Sequence, residues 1–208
     1  KASEICHAHG VLFIADEVQT GIARTGKLLA TCGNCTCAKS CENQPEIKPD
    51  ILILGKALSG GVMPVSAVLA RDEIMLTIRP GEHGSTFGGN PLACAVGMAA
   101  LQVVADEGLA EKAAHLGEVF REGLLEIATR HRLIRSVRGK GLLNAIVVNC
   151  EESSDLAWRL CLAFKKHGLL AKPTHGNKIR LAPPLVITEE QIRDALHIIE
   201  MSIAECHE

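Results

Sequence analysis

The sequence of 208 residues predicts an α/β fold followed by a smaller α+β layer. Uninterrupted apolar runs at residues 11–15, 51–54 and 65–70 are typical of strands in a parallel or mixed sheet that is buried on both faces. A Gly-rich loop at residues 81–91 precedes an expected helix. Beyond about residue 108, amphipathic helices alternate with short strands, which indicates a second layer.

Helices are expected on both sides of the first strands. Residues 1–9 are helix-like, and a second helix is expected at about residues 92–105, directly after the Gly-rich loop. A third helix is indicated by apolar residues that recur at steps of three and four. These are Leu109, Ala113, Leu116, Phe120, Leu124 and Ile127.

The remaining elements alternate between strands and helices. Strands are expected at residues 133–137, 142–148, 169–171 and 178–182, and a helix at residues 156–167. Thr188 and Gln191 form a capping-box pattern, so the last helix is expected to begin there.

Composition and charge exclude several classes of protein. Hydrophobic residues make up 47% of the chain and charged residues 22%, which excludes disorder as the main state. The net charge of −2 gives no general attraction to nucleic acid or to an anionic membrane. The chain has no Tyr, one Trp and four Phe, so it lacks the aromatic surfaces that stack on single-stranded bases. No apolar run reaches the roughly 18 residues of a membrane span.

Two candidate site residues follow predicted buried strands. Asp16 ends the first strand, where ligands of open α/β sheets commonly bind, but it could equally serve as a helix cap or in a buried ion pair. Lys56 follows the second strand, where partial burial can free its amine as a nucleophile. The alternative is a lysine whose charged end simply reaches water.

Two further candidates lie later in the chain. The loop His83-Gly84-Ser85-Thr86-Phe87-Gly88-Gly89 offers hydroxyls and close backbone approach ahead of a helix, as phosphate sites require, but could be an ordinary connection. Arg180 can bind a carboxylate through two parallel hydrogen bonds, or can form a surface ion pair.

Together, an acid, a strand-end lysine and a phosphate loop are what pyridoxal 5'-phosphate (PLP) requires. The chain resembles the class III aminotransferases of PLP fold type I. The resemblance covers nearly all of the chain apart from a cysteine-rich insert at residues 31–44. Its motifs are FIADEVQTGIART (13–25), ILGKALSGGVMPVSAVL (53–69), RPGEHGSTFGGNPL (79–92), VRGKGLLNAI (137–146) and GLLAKPTHGNKIRLAPPL (168–185).

The resemblance implies a role for three residues of the first layer. Asp16 matches the carboxylate that pairs with the pyridine nitrogen of PLP. Gln19 matches the residue that contacts the 3-oxygen of the cofactor. Lys56 matches the lysine that bonds covalently to PLP and moves the proton between substrate and cofactor carbons.

The resemblance also implies contacts with phosphate and substrate. Ser85 and Thr86 match a loop that reaches across a dimer interface to the phosphate of the neighbouring subunit's cofactor. Arg180 matches the arginine that binds the carboxylate of 2-oxoglutarate or glutamate. The implied partners are therefore small-molecule substrates and a second copy of the chain, in a homodimer or higher homo-oligomer.

The motifs that begin at Gly81, Val137 and Gly168 are closest to family members that act on ornithine. These transfer its δ-amino group to 2-oxoglutarate. Because family members are longer, we expect residues 1–107 to be the C-terminal part of the PLP-binding domain and residues 108–208 the small domain. The expected location is intracellular, with mitochondrial matrix and cytoplasm both open. Alternatives are an acetylornithine or GABA type of aminotransferase, or a non-catalytic metal-binding or interaction fragment.

The insert carries four closely spaced thiols in the pattern Cys-x2-Cys-x-Cys-x3-Cys. Four thiolates can enclose a zinc ion, although zinc sites usually use two separated pairs. Cys32 and Cys35 could instead form a redox pair. The third interpretation is a cysteine-rich surface loop without a metal. The four residues are Cys32, Cys35, Cys37 and Cys41.

Because the compressed spacing does not suit a zinc knuckle, we expect the purified chain to hold substoichiometric zinc. Elemental analysis of protein prepared without chelators measures this. Zinc at one ion per chain, lost when Cys35 and Cys37 are replaced by Ser, would contradict the expectation and establish the metal site.

Overall fold

A computed structural model describes residues 1–32 and 48–206. The chain divides into two compact units, Lys1–Ala110 and Glu111–Glu208, and each is described by itself. No single helix within these described residues is long and apolar enough to cross a membrane, and helices Pro91–Asp106 and Leu109–Arg130 meet that test only when taken together.

The first unit contains a three-stranded mixed sheet in the order β1-β2-β3. Strands β1 and β2 are parallel, and β3 is antiparallel to β2. Two short 3-10 turns, Ala30–Cys32 and Lys56–Ser59, lie between the strands. The elements are α1 (Ala2–Ala8), β1 (Ile14–Asp16), β2 (Ile51–Leu54), β3 (Ala67–Ala70), α2 (Asp72–Met75) and α3 (Pro91–Asp106).

Strand β1 is shorter than the sequence predicted. Its predicted range began at residue 11, but the Val11 amide donates to the Cys6 carbonyl and closes the end of α1. Regular pairing therefore starts at Ile14. The strand predicted at residues 51–54 and the helix after the Gly-rich loop are confirmed.

The expectation that these strands are buried on both faces was wrong for the described chain. Ile14 is 51% exposed, Val68 53% and Leu69 49%. Ala15 is buried, so β1 alternates in exposure along its length. Apolar strand faces with this much exposed surface are typical of a sheet that other segments cover.

The second unit contains a four-stranded sheet in the order β4-β5-β7-β6. All neighbouring strands are antiparallel. The elements are α4 (Leu109–Arg130), β4 (Ile134–Lys140), β5 (Leu143–Val148), α5 (Leu156–Lys166), β6 (Lys172–Thr174), β7 (Lys178–Leu181) and α6 (Glu189–Glu205).

Strand β6 begins later than predicted. Residues 169–171 were expected to be a strand, but the Leu169 amide donates to the Phe164 carbonyl at the end of α5. That hydrogen bond satisfies a carbonyl of the last helical turn, so Leu169 closes the helix. Lys172 is then the first residue of the strand.

The core of the second unit lies between one face of this sheet and the three helices. All six apolar residues that predicted α4 are buried. The other elements each contribute buried side chains to the same cluster. Examples are Ile134, Ile146, Val148, Leu160, Phe164, Ile179, Ile192 and Ile199.

Two glycines bring α4 against the β4–β5 hairpin. A Cβ atom on Gly117 would lie 2.0 Å from the Gly141 carbonyl oxygen, so no larger residue fits there without moving the backbone. Arg121 donates to the same carbonyl, at 2.9 Å, and to Asn144 Oδ1, at 3.1 Å. The Gly-Lys-Gly part of the sequence motif thus serves this close packing.

Helix α6 begins as the sequence predicted. The Gln191 amide donates to the Thr188 hydroxyl, and the Thr188 amide donates to the Gln191 side chain, which completes the capping box. Farther along, Glu200 accepts a hydrogen bond from Arg130 of α4 at 2.7 Å. The ends of α6 are thereby fixed by polar contacts while its apolar face packs on the core.

Leu124 and Leu125 provide a matched test of this core, because they are adjacent on α4 and are 0% and 52% exposed. We expect Leu124→Ala to lower the free energy of unfolding by about 2–5 kcal/mol through lost burial and a residual cavity. Leu125→Ala should change it by no more than about 0.5 kcal/mol. Urea unfolding measures both, and equal losses would contradict the assignment of the core.

Candidate active site

The candidate site lies at the carboxyl ends of the parallel strands β1 and β2. Their register pairs Ala15 with Leu52 and Asp16 with Ile53. Asp16 is therefore the last residue of β1, and Lys56 follows the end of β2 by two residues. Both side chains lie at the edge of the sheet where open α/β proteins bind ligands.

Asp16 remains open to a ligand. One of its carboxylate oxygens accepts a hydrogen bond from the Val18 amide at 3.1 Å, and the residue is exposed. Gln19 is also exposed, and its side chain makes no hydrogen bond to another described residue. Neither residue is committed to the packing of the unit, which leaves both available to a bound molecule.

The neighbouring acid, Glu17, has a different role. It is buried, and its carboxylate accepts hydrogen bonds from the Ala30 amide, the Thr31 amide and the Thr31 hydroxyl. Gly21 fits beside it, since a Cβ there would lie 2.9 Å from the Glu17 carbonyl oxygen. Glu17 therefore holds the loop after β1, a role that its place beside Asp16 did not reveal.

The backbone of Lys56 is in the left-handed region, with φ of 50°. Such a conformation costs a non-glycine residue roughly 1–3 kcal/mol and is concentrated at functional sites. The 3-10 turn Lys56–Ser59 fixes it through hydrogen bonds from the Leu58 amide to Gly55 and from the Gly60 amide to Ala57. The buried Ser59 hydroxyl also bonds to the Met63 carbonyl.

Helix α3 packs directly on this turn. A Cβ on Gly97 would lie 3.6 Å from the Leu58 carbonyl oxygen, and one on Gly60 would lie 3.5 Å from the Ala100 Cβ. Leu58 is buried. The helix and the turn are thus in van der Waals contact, which holds the Lys56 backbone in place.

Lys56 lines an open cleft of about 480 Å³. Its amine makes no hydrogen bond or ion pair with another described residue. Two segments form the other walls, one ahead of β3 and one ahead of α3. The lining residues are Pro64, Val65, Ser66, Ser85, Phe87, Gly88, Gly89, Asn90 and Ala93.

The wall ahead of α3 is a structured turn. The Gly88 amide donates to the Ser85 hydroxyl at 3.0 Å, and Asn90 donates to the Phe87 carbonyl at 2.8 Å. Asn90 also caps the helix by accepting from the Ala93 amide at 2.9 Å. The cleft therefore meets the start of a long helix, where backbone amides and the helix dipole favour an anion.

The structure brings some of the predicted site residues together. Lys56 and Ser85 line the same cleft, and Asp16 and Gln19 lie at the same end of the β1–β2 pair. Thr86 is exposed and follows Ser85, but it is not among the residues that line the cleft.

The remaining predicted residues lie elsewhere. Arg180 is half-buried in β7 of the second unit. Cys35, Cys37 and Cys41 fall outside the described residues, so the zinc and redox hypotheses stay open. Within residues 1–32 and 48–206, no group of three or more His, Cys, Asp or Glu side chains is arranged to hold a metal ion.

Asp50 is a structural residue that the sequence analysis missed. It is buried at the start of β2 and accepts hydrogen bonds from the Phe13 amide at 2.7 Å, from His7 at 2.9 Å and from Arg71 at 2.9 Å. The Phe13 amide, followed by His7, holds the pKa of Asp50 below its usual range. Asp50 therefore ties α1, β1 and the segment after β3 to the strand that ends at Lys56.

Comparison with known proteins gives the same assignment along nearly the whole chain. Residues 1–203 match the family described as Aminotransferase class-III. Ornithine aminotransferase of Emericella nidulans is 56% identical over 205 residues, which are 98% of this chain and 42% of that protein. The mitochondrial ornithine aminotransferase of Rattus norvegicus is 54% identical, over 96% of this chain and 42% of its own length.

Solved structures are similar over the same extent. Acetylornithine aminotransferase from Elizabethkingia anophelis aligns with a TM-score of 0.90 and 62% identity, covering 98% of this chain and 48% of that one. Ornithine aminotransferase from Toxoplasma gondii aligns with a TM-score of 0.89 and 45% identity, covering 99% and 46%. The chain spans less than half the length of the curated relatives described above.

The Asp50 contacts predict a specific dependence of stability on pH. Because the folded pKa is below that of the unfolded chain, about 3.9, the ionised carboxylate stabilises the fold above that pH. This stabilisation is lost as pH falls through the lowered pKa. We therefore expect Asp50→Asn to lower the thermal midpoint most near neutral pH, with the difference from wild type shrinking below about pH 4.

Thermal unfolding at a series of pH values measures this difference. Asp72→Asn, which changes an exposed carboxylate of the same unit, serves as the control and should show a small difference at every pH. A deficit in Asp50→Asn that stays constant into the acid range would mean that its cause is packing rather than ionisation.

Proposed function

Because this chain belongs to the class III aminotransferases, we propose that it is the C-terminal part of an ornithine aminotransferase. The complete enzyme transfers the δ-amino group of ornithine to 2-oxoglutarate with PLP as cofactor. The products are glutamate and glutamate semialdehyde, which cyclises to pyrroline-5-carboxylate. In this proposal, residues 1–107 belong to the PLP-binding domain and residues 108–208 form the small domain.

The observation that carries the proposal is the strained, exposed Lys56 at the carboxyl end of a parallel strand pair. Its amine lines the cleft without a partner among the described residues, so it is free to react. The same cleft offers the hydroxyls of Ser66 and Ser85 and the start of α3. An amine beside a set of anion-binding groups suits a phosphorylated aldehyde, and the residues present therefore fit PLP.

PLP, when bound, supplies the electron-withdrawing ring on which amino transfer depends. Lys56 would hold its aldehyde carbon covalently and carry a proton to and from the reacting carbon. The Asp16 carboxylate would keep the pyridine nitrogen protonated, and Gln19 would contact the 3-oxygen. Arg180 would hold a substrate carboxylate with its planar guanidinium.

We also propose that the phosphate site is completed by a second copy of the chain. The whole segment from Gly81 to Gly89 is exposed, and Phe87 is 82% exposed. An aromatic side chain in that position is typical of a protein interface. In a homodimer, Ser85 and Thr86 would reach the phosphate of the partner subunit's cofactor.

An acetylornithine aminotransferase is the second candidate. The Elizabethkingia anophelis structure bears that name and is 62% identical, which exceeds the identity to the Toxoplasma gondii ornithine enzyme. The curated ornithine aminotransferases support the ornithine assignment at 54–56% identity. We propose an intracellular location. The rat relative is mitochondrial by name, and matrix and cytoplasm both remain open for this chain.

The test is a visible absorption spectrum of the complete polypeptide with PLP. We expect a band from lysine-bound cofactor that bleaches on addition of ornithine. Lys56→Ala and Lys56→Arg should both lose the band, because neither provides the primary amine, and activity should fall by at least about 10²–10⁴-fold. Lys27→Ala, in the loop after β1, should leave band and activity unchanged.

The outcomes separate the candidates. Bleaching by acetylornithine but not by ornithine would keep the family and replace the substrate. A wild-type protein that gives no band at all would overturn the proposed PLP chemistry. A band that persists in Lys56→Arg would place the reactive amine elsewhere.

A further inference from the structure

Three cations lie in one row across the sheet of the second unit. Arg138 of β4 is the register partner of Ala145 of β5, and Ala145 is the partner of Arg180 of β7. Arg180 in turn is the partner of Lys172 of β6. Directly opposite residues of antiparallel strands share a face of the sheet, so all four side chains lie on the same side.

This row is on the face opposite the core. The next row along the strands pairs Ile146 with Ile179, and both of these residues are buried in the core of the unit. Side chains alternate between faces along a strand, so Arg180 and its row partners point away from that core. Lys172 and Arg138 are exposed, and Arg180 is half-buried.

Lys172 and Arg180 are an unneutralised pair of like charges. Opposite residues of an antiparallel pair have Cβ atoms about 5 Å apart, and like charges at this spacing destabilise a sheet. Within the described part of the chain, no hydrogen bond or ion pair is formed by the side chain of Lys172, Arg180 or Arg138. The pair therefore lacks the anion that would offset its repulsion.

The same face of the sheet shows how a lysine is neutralised where no ligand is needed. Lys178, two residues before Arg180 on β7, forms an ion pair with Glu152. Its amine also contacts the His175 carbonyl at 3.1 Å and Asn177 Oδ1 at 3.2 Å. The sheet thus provides partners for Lys178 and none for the adjacent cationic pair.

We propose that Lys172 is a second anion-binding residue beside Arg180, and that together they select a dicarboxylate over a monocarboxylate. The inference rests on the proposed function, in which Arg180 holds a carboxylate of 2-oxoglutarate. Arg180 binds one carboxylate through its planar fork, and Lys172 adds a mobile point charge for the second. Ala145, small and uncharged, leaves the other side of Arg180 open.

The test measures binding of glutarate, a non-reacting dicarboxylate, to the complete polypeptide by titration calorimetry. Lys172→Gln should weaken glutarate binding roughly tenfold, as expected for loss of a charge-assisted contact, and leave butyrate binding roughly unchanged. Lys172→Arg should restore most of the glutarate affinity. In turnover, Lys172→Gln should raise the KM for 2-oxoglutarate while the KM for ornithine stays the same.

Arg138→Gln is the matched control. It removes the same charge from the same row, but Arg138 is separated from Arg180 by one intervening strand, so glutarate binding should change much less. Equal weakening by both variants would reduce the effect to general electrostatics and overturn the proposal. Unchanged glutarate binding in Lys172→Gln would also overturn it.

Ligand-free stability provides a readout that turnover does not affect. Because Lys172→Gln removes a like-charge contact, its thermal midpoint should equal or exceed that of wild type, whereas a drop would show a structural role instead. If wild type fails to turn over ornithine but binds glutarate through Lys172, the proposed function fails and the dicarboxylate site stands. The reverse result removes the site and keeps the function.

Discussion

The left-handed backbone of Lys56 is the constraint on which the first unit depends. Its cost of roughly 1–3 kcal/mol must be met by the surroundings, and each neighbouring element contributes. Ser59 closes the turn beneath it, and α3 approaches closely through Gly97. Asp50 fixes the start of the strand that leads to it. The amine is thereby held at one position while remaining free of partners within the described chain.

Local patterns accounted for most of the fold. The apolar steps of α4 and the Thr188 capping box act within a few residues, so the sequence displays them directly. Strand starts were harder to predict, because whether Val11 or Leu169 joins a sheet depends on carbonyls left over at the end of a helix. An apolar run does not reveal which of its amides a preceding helix will use.

The candidate site was predictable in its residue types and less so in its geometry. Asp16 and Lys56 could be placed because the ends of parallel strands meet at one edge. The roles of Glu17 and Asp50 could not, since their partners lie far along the chain and an acid carries no mark of its partner. The cationic pair of Lys172 and Arg180 was hidden for a similar reason, because strand register sets it and sequence spacing does not.

Glu17 and Asp50 stand on either side of the cysteine-rich segment, one bonded to Thr31 and the other to Phe13. Both ends of the connection between β1 and β2 are therefore fastened by carboxylates that belong to the sheet framework. Lengthening a connection between fixed ends costs little free energy, because the entropy of closure grows slowly with length. The segment is consequently a natural port for inserted sequence, where a protein can gain a new peptide, tag or small domain while the strand pair keeps its register.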